Sequence, residues 1–158
     1  MIERDIRIGI ISGYFAGKVL HDGHKEYIDS AIKKSDILYV IIQSDEMLDK
    51  KYPNYNHSSS NEVAEMICDY INDYINSNKG RLIQYIILVN DKKTVAKKLK
   101  EVAKNHKGGN ITFFKDGDRN LKSLPKKEII ELYKNNIKFK FFGNKKIDSS
   151  KNFMSKRS

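Results

Sequence analysis

The chain has 158 residues, of which 39% are hydrophobic and 32% charged, a balance typical of one soluble globular domain. The longest apolar stretch, Ile37 to Ile42, is far too short to span a bilayer, so we expect no membrane segment. The net charge of +10 indicates an anionic partner, although lysines spread along the whole chain also fit a solvated surface. A single cysteine, Cys68, excludes an intrachain disulfide, and no secretory signal is recognisable, so we expect a cytoplasmic protein.

Patterns typical of strands and helices alternate along the chain. The predicted strands are Arg7–Ser12, Asp36–Gln43, Leu82–Val89, Ile111–Phe114 and Ile137–Phe142. The predicted helices are His24–Lys34, Asn61–Asn76, Thr94–His106 and Lys126–Asn135, with Ser58, Ser59 and Ser60 as candidate N-caps of the second. This alternation predicts an α/β fold, a Rossmann-like doubly wound sheet of five parallel strands with helices on both faces. Ligands of such sheets bind beyond the carboxyl ends of the strands.

The segment after the first strand carries His21-Asp22-Gly23-His24, where a helix is predicted to begin. The unpaired backbone N–H groups and the dipole of a helix N-terminus favour an anion. Two imidazoles there can donate hydrogen bonds to a phosphate, and Gly23 allows a bulky group to approach the backbone. The alternative is that both histidines are polar capping residues on a surface turn. Two histidines with a glycine between them favour the phosphate site.

A metal site is the weaker interpretation of these histidines, and we predict none. Zinc needs three or four protein ligands, but His57 and His106 lie in unrelated parts of the sequence. Cys68 falls within a predicted helix, next to Ile67, and fits core packing better than metal binding.

Two later segments also follow strands. Asp116-Gly117-Asp118-Arg119 offers an arginine for phosphate and carboxylates for a hydroxyl or a base, but an ordinary Asp-Gly turn accounts for it equally well. The segment from Gly143 to Lys151 resembles a helix start that cradles an anion, although plain capping by Ser149 or Asp148 explains it too.

Taken in order, these motifs resemble the cytidylyltransferase-like branch of the HxGH nucleotidyltransferase superfamily, of the glycerol-3-phosphate cytidylyltransferase and heptose-phosphate adenylyltransferase types. The matching motifs are Gly13-Tyr14-Phe15, His21-Asp22-Gly23-His24, Ser44-Asp45-Glu46 followed by Lys50 or Lys51, Lys93-Thr94-Val95, Gly117-Asp118-Arg119 with Pro125 and Glu128 behind it, and Lys146-Ile147-Asp148-Ser149-Ser150. The resemblance spans nearly the whole chain, and the ordered set is more specific than any single motif.

The resemblance implies transfer of CMP or AMP from CTP or ATP to a phosphorylated acceptor, a sugar phosphate or polyol phosphate, with release of pyrophosphate. It implies Mg²⁺ bound with the nucleotide and no dedicated protein cage for the ion. It also implies a homodimer. Chain length predicts a single domain over residues 1–150, which the resemblance makes a nucleotidyltransferase domain, and the polar, basic composition of residues 151–158 predicts a flexible tail. The sequence distinguishes neither CTP from ATP nor one acceptor from another.

The resemblance also assigns roles to residues. His21 and His24 are the implied catalytic pair. The implied nucleotide-binding residues are Gly13, Tyr14, Phe15, His21, Gly23, His24, Gly117, Asp118, Arg119, Ser149 and Ser150. The implied residues for the acceptor or its phosphate are Asp45, Lys50 and Lys51.

The chain departs from the family pattern in two places. Ala16 stands where the family has Asp or Asn, and the loop Ala16–Leu20 is two residues longer than usual, with Lys18 inside it as a candidate catalytic cation. Val63 follows Glu62 where the family has an arginine. Two hypotheses therefore stand: an active nucleotidyltransferase, or a catalytically impaired nucleotide-binding or regulatory domain on the same fold. A nucleic-acid-binding protein ranks last, because no aromatic residues interleave with a basic patch.

Overall fold

The computed structural model describes residues 5–78, 82–117, 121–142 and 155–156. Its main sheet has five strands. The strands Arg7–Ser12 and Ile37–Gln43 are apolar runs of the kind that parallel strands need when both faces are covered, whereas the edge strand Lys138–Phe142 alternates lysine with phenylalanine. The strands of this sheet are β1 (Arg7–Ser12), β2 (Ile37–Gln43), β4 (Gln84–Asn90), β5 (Asn110–Asp116) and β6 (Lys138–Phe142). A separate pair of two-residue strands, β3 (Tyr55–Asn56) and β7 (Ser155–Lys156), is antiparallel.

All four neighbouring pairs in the main sheet are parallel, in the order β4-β2-β1-β5-β6. The chain moves outward from β1 in one direction through β2 and β4, then returns to the other side of β1 for β5 and β6. This order makes the fold a doubly wound, Rossmann-like one, and the predicted fold class is confirmed. The direction reverses between β1 and β5, which is where such sheets open a crevice for ligands.

The helices cover both faces of the sheet, as predicted. They are α1 (Asp22–Lys33), α2 (Asp45–Lys51), α3 (Ser60–Asn78), α4 (Ala96–Asn105) and α5 (Lys126–Lys134), with a 3₁₀ turn at Leu121–Ser123. Helices α1 and α3 pack on one face through residues such as Ile28 and Ile67, which are fully buried. Helices α4 and α5 pack on the other face through Leu99 and Leu132. The sheet therefore lies between two apolar clusters, one on each face, and these clusters fix the positions at which the helices begin.

Helix α2 and the β3–β7 pair were not predicted. Helix α2 has only seven residues, too few to display a helical period, although Ser44 caps it by accepting a hydrogen bond from the Met47 N–H. Strand β7 lies in the segment expected to be a flexible tail, and a two-residue strand has no alternation to recognise. The remaining tail residues, 151–154 and 157–158, lie outside the described part of the chain, so for them the tail stays a prediction.

Within the described ranges, no helix is both long enough and apolar enough to cross a membrane.

Candidate functional site

A buried tyrosine, Tyr27, bridges β1 and β5 at the crevice where the two strands separate. The β1–β5 ladder ends at Ile10 and Phe113, before either strand ends. Beyond that point the Tyr27 hydroxyl of α1 accepts a hydrogen bond from the Ser12 N–H at 3.2 Å and donates one to the Phe114 carbonyl. Burial raises the pKa of Tyr27 well above its ordinary value, so the hydroxyl stays protonated. Tyr27 thus fixes α1, and with it the helix N-terminus, against the carboxyl ends of both strands.

His21 is the N-cap of α1. Its Nδ1 accepts a hydrogen bond from the His24 N–H at 3.2 Å, and its side chain is buried. An Nδ1 that accepts carries no proton, so the proton of the neutral ring resides on Nε2. The capping alternative considered from sequence is therefore correct for His21, but it does not exclude binding. The cap fixes the tautomer in which Nε2 is a hydrogen-bond donor.

His24 lies against His21 and Phe15. The two imidazoles stack with ring centroids 3.5 Å apart and an interplanar angle of 22°, and Phe15 contacts His24 edge-on at 4.9 Å. Burial lowers the pKa of His24 to about 3, and the neighbouring His21 contributes to the lowering. His24 is consequently neutral at physiological pH. The stacked pair can donate hydrogen bonds to an oxyanion without bringing two positive charges together.

The two glycines of this turn make room for aromatic rings of the turn itself. A Cβ on Gly23 would lie 3.1 Å from Cε1 of His21, and a Cβ on Gly13 would lie 2.9 Å from the Phe15 ring. Phe15 has φ +48°, a left-handed conformation that costs energy in a residue other than glycine. The bulky group that Gly23 admits is therefore the imidazole of His21. The Gly-x-Phe and His-x-Gly-His motifs act as one packed unit around His24.

The longer loop Ala16–Leu20 is hydrogen-bonded to Ser58, two residues before α3. The Ser58 N–H donates to the Ala16 carbonyl at 2.8 Å, and the Ser58 hydroxyl donates to the Gly17 carbonyl at 3.0 Å. Ser58, predicted as a candidate N-cap, instead holds this loop. The capping of α3 falls to Ser59, whose hydroxyl accepts from the Glu62 N–H while Glu62 accepts from the Ser59 N–H.

Lys18 lies on the surface of that loop, 3.7 Å from the carboxylate of Glu62, and both side chains are more than half exposed. The structure thus pairs Lys18 with α3, and its catalytic role stays a prediction. Val63, which stands where the family has an arginine, is fully buried in the core on the α1–α3 face. This position faces the interior in this fold, where an arginine would be costly.

The three residues implied for the acceptor all lie on α2. Asp45 accepts a hydrogen bond from the Ser60 N–H at 2.7 Å and so binds the start of α3. Lys50 pairs with Glu46 at 3.2 Å on the exposed surface. Lys51 lies over the Tyr14 ring, with Nζ 5.6 Å from the ring centroid. Of these three residues, Lys51 is the one that contacts the Gly13–Phe15 segment, and the phosphate-binding role of either lysine stays a prediction.

Sequence reasoning missed a polar cluster across the crevice. Lys115, at the end of β5, donates from Nζ to the Ser12 hydroxyl at 3.0 Å. Glu128 is buried and accepts from the Val95 N–H at 3.2 Å, capping the start of α4. Burial raises the pKa of Glu128, while the Val95 N–H and the Lys115 ammonium lower it. The signal was a lysine directly after the apolar run of β5, but lysines occur along the whole chain, so this one did not stand out.

Several predicted site residues lie outside the described residues. Gly117 is described and has φ +86°, a conformation that requires glycine and confirms a turn there. Asp118, Arg119, Ser149 and Ser150 fall outside the described residues, so their nucleotide-binding roles stay predictions.

The other histidines have structural partners. His57 Nε2 lies 2.6 Å from Asp49, and His106 Nε2 lies 2.7 Å from the Tyr39 hydroxyl. In the described part of the chain, no three His, Cys, Asp or Glu side chains are grouped so that they could hold a metal ion.

Among solved structures, the chain is similar to the crystal structure of the lipopolysaccharide core biosynthesis protein from Thermoplasma volcanium GSS1, with a TM-score of 0.56. The two chains are 18% identical, and the match covers 92% of this chain and 100% of that one. At this identity the likeness shows a shared α/β Rossmann-like fold over nearly the whole chain. No protein-family model matches the chain, and no curated protein matches it by sequence.

Proposed function

We propose that this protein is a nucleotidyltransferase that transfers CMP or AMP from CTP or ATP to a sugar phosphate or polyol phosphate and releases pyrophosphate. The observation that carries the proposal is the neutral, stacked pair of His21 and His24 at the N-terminus of α1, beside the switch point of the sheet. The resemblance of the motifs to cytidylyltransferase-like enzymes supports the same function. A homodimer is part of the proposal on the resemblance alone, and a cytoplasmic location is part of it because the chain has a single cysteine.

The arrangement suits direct attack on a nucleotide. An oxygen of the acceptor phosphate forms a bond to the α-phosphorus, and the bond from that phosphorus to the β-phosphate oxygen breaks, so that pyrophosphate leaves with the electron pair. Negative charge grows on the bridging and non-bridging oxygens during this transfer. His21 supplies a donor at Nε2, His24 supplies a second neutral imidazole, and the N–H groups of α1 add a third source of positive potential.

Lys115 supplies a cation on the opposite side of the crevice. Its ammonium is held by Ser12 and lies close enough to Glu128 to lower the pKa of that carboxyl. A lysine fixed in this way can bind a phosphate oxygen without further ordering. It also offers positive charge in a site where Val63 replaces the family arginine.

Magnesium is part of the proposal as an ion carried by the nucleotide. The described residues hold no grouped set of ligands, and the buried carboxylate of Glu128 already accepts from Val95. Mg²⁺ characteristically binds phosphate oxygens and keeps several waters. When bound, it would neutralise phosphate charge.

The structural neighbour's name is compatible with a sugar-phosphate acceptor, since that protein is described as acting in lipopolysaccharide core biosynthesis.

One observation favours a second candidate function, a nucleotide-binding domain without turnover. The family arginine aimed at phosphate is absent, and the position that would hold it is buried as Val63. Such a domain would keep nucleotide affinity through the α1 N-terminus but stabilise the transition state poorly.

Pyrophosphate release tests the proposal. The purified protein is incubated with Mg²⁺ and either CTP or ATP, across a panel of cyclic sugar phosphates and linear polyol phosphates. We expect release that depends on one nucleotide and on one class of acceptor. Saturable nucleotide binding without release from any pair would establish the second candidate instead, and no nucleotide binding at all would exclude both.

A further inference from the structure

Tyr14 lies just after the end of β1, beside the crevice. On one side its ring contacts α2 and the residue that follows it: Lys51 Nζ lies 5.6 Å from the ring centroid, and Tyr52 meets it edge-on at 5.8 Å. On the other side it is close enough to Glu128, on α5, for that carboxylate to add to the effect of burial in raising the pKa of the Tyr14 hydroxyl. The Tyr14 ring therefore contacts the α2 side of the site, and the Glu128 carboxylate acts on its hydroxyl electrostatically.

The ring is half-buried and lies next to the reactive pair. Gly13 and Tyr14 follow β1 directly, and the next residue, Phe15, packs against His24. Tyr52, which is buried, and Ala16 form an apolar base beneath Tyr14, with Tyr55 edge-on to Tyr52 at 6.3 Å. Tyr14 is thus held by the aromatic cluster on the α2 side, while the next residue along the chain, Phe15, packs on His24.

The Tyr14 ring and the Lys51 ammonium lie together, and the Glu128 carboxylate is near enough to act on the Tyr14 hydroxyl electrostatically. An aromatic face binds an apolar C–H surface, an ammonium binds phosphate, and a carboxylate accepts hydroxyl hydrogen bonds. A cyclic sugar phosphate offers all three complementary features, since one face of a sugar ring is rich in C–H groups. A linear polyol phosphate offers the phosphate and the hydroxyls but no rigid apolar face.

We propose that Tyr14 and Lys51 form the acceptor subsite and that Tyr14 selects a cyclic sugar phosphate over a linear polyol phosphate. This inference rests on the proposed nucleotidyltransferase function and narrows its acceptor. Tyr14, which the resemblance implies for the nucleotide, instead provides the platform for the sugar ring of the acceptor, and Lys51 binds the acceptor phosphate beside it.

Calorimetric binding of acceptors separates this inference from catalysis, because it requires no turnover. The variants are Tyr14→Thr, Tyr14→Phe and Lys51→Met, and each is checked for an unchanged thermal midpoint. We expect the unaltered protein to bind a cyclic hexose phosphate at least about tenfold more tightly than glycerol 3-phosphate. Tyr14→Thr should remove that preference by weakening the cyclic ligand, and Tyr14→Phe, which keeps the ring, should retain it.

Other lysines of the chain provide matched control variants for Lys51→Met. Lys51→Met should weaken both acceptors by about tenfold or more, because a charge-assisted hydrogen bond to phosphate is lost. Lys104→Met, on the far end of α4, removes the same charge and should leave binding within about twofold. Lys50→Met tests whether a lysine next to Lys51 on α2 serves equally well, since Lys50 pairs with Glu46. An effect equal to that of Lys51→Met would overturn the assignment of Lys51 to the acceptor phosphate.

The outcomes distinguish the two proposals. A preserved cyclic preference in Tyr14→Thr, or no preference in the unaltered protein, overturns the role of Tyr14 while pyrophosphate release can still establish the enzyme. Cyclic preference that disappears in Tyr14→Thr, in a protein that releases no pyrophosphate, would retain the subsite and reject the transfer reaction.

Discussion

The turn from β1 into α1 and the rim formed by α2 and the start of α3 border the same edge of the sheet, but their side chains are held differently. In the turn, His21 and Phe15 are buried and contact backbone or other rings of the same segment. On the rim, Lys50 and Glu46 pair with each other on an exposed surface. The side chains of the turn are therefore held in place before a ligand binds. The exposed charged side chains of the rim, in contrast, can be substituted with little loss of stability.

This difference indicates a division of roles. Groups that stabilise a transition state must be fixed before the substrate arrives, and burial of the histidine pair achieves that. Groups that select an acceptor need only be correctly placed, and the loops around a fixed centre are where such selection commonly lies. The predictions below test whether the turn carries the chemistry and whether the rim does not.

The largest effect is expected from His21→Asn. Asparagine is a good N-cap, so it should keep α1 and change stability by less than about 1 kcal/mol. It removes the imidazole Nε2 donor, and turnover should fall by about 10²–10³-fold, as when one oxyanion donor is lost. Steady-state pyrophosphate release and thermal unfolding measure the two effects. Full turnover in this variant would mean that His21 is only a cap.

A smaller loss is expected from Gly23→Ala. The new Cβ would lie 3.1 Å from the His21 ring, which must shift by a few tenths of an ångström. Misplacement of that ring should reduce kcat by about tenfold or more. Alanine favours a helix by up to about 1 kcal/mol over glycine. Because this gain offsets the cost of shifting the His21 ring, the thermal midpoint should hardly change. If kcat were unchanged, the close packing of Gly23 on His21 would have no catalytic meaning.

Much of the turn, but little of the rim, was predictable from sequence. A strand, a glycine and a histidine pair follow one another closely, so the chemistry of the turn can be recognised from local residue types. The contacts of the rim and of the crevice join distant residues: Lys115 meets Ser12, and Ser58 holds the Ala16 carbonyl. Such pairings depend on how strands and helices pack, and no local pattern records them.

The class of the fold could be predicted from the sequence, but not every one of its elements. Alternating strands and helices require parallel crossovers, which is why the doubly wound fold was correct. Helix α2 and the β3–β7 pair escaped prediction because elements of seven and two residues show no period. The same limit applies to tautomers: only the contact of His21 Nδ1 with the His24 N–H in the folded structure indicates where the proton resides.

A moderate, pH-dependent effect is expected from His24. Its pKa in the folded protein is about 3, below the value of about 6.5 in the unfolded chain. The unfolded state therefore binds a proton that the folded state does not, and stability is lost as pH falls from about 6.5 toward 3, by at most about 1.4 kcal/mol per pH unit. Urea unfolding of the unaltered protein and of His24→Gln at pH 7, 6 and 5 measures this.

The variant should lose less stability than the unaltered protein over that interval, so the two free energies of unfolding should converge as pH falls. The lowered pKa of His106 acts equally in both proteins and cancels in the comparison. Parallel pH profiles would show that His24 is not held neutral by its surroundings.

The smallest effect is expected from Lys18→Ala. Lys18 and Glu62 are both more than half exposed, and surface pairs of this kind contribute little. Turnover and nucleotide affinity should stay within about twofold of the unaltered protein. A loss of tenfold or more in kcat would assign Lys18 to the reaction and would place catalytic charge on the loop that is two residues longer than usual.

The most direct measurement is a nucleotide titration followed by ¹⁵N resonances of the four histidines. His21→Asn and His24→Gln assign the two resonances of the turn, and His106, which contacts Tyr39 at the opposite edge of the sheet, is the internal control. On addition of CTP or ATP with Mg²⁺, we predict saturable shifts of the His21 and His24 ring nitrogens at a common Kd, with His106 unchanged. Saturable nucleotide binding that leaves both resonances in place would contradict the claim that this turn is the phosphate site.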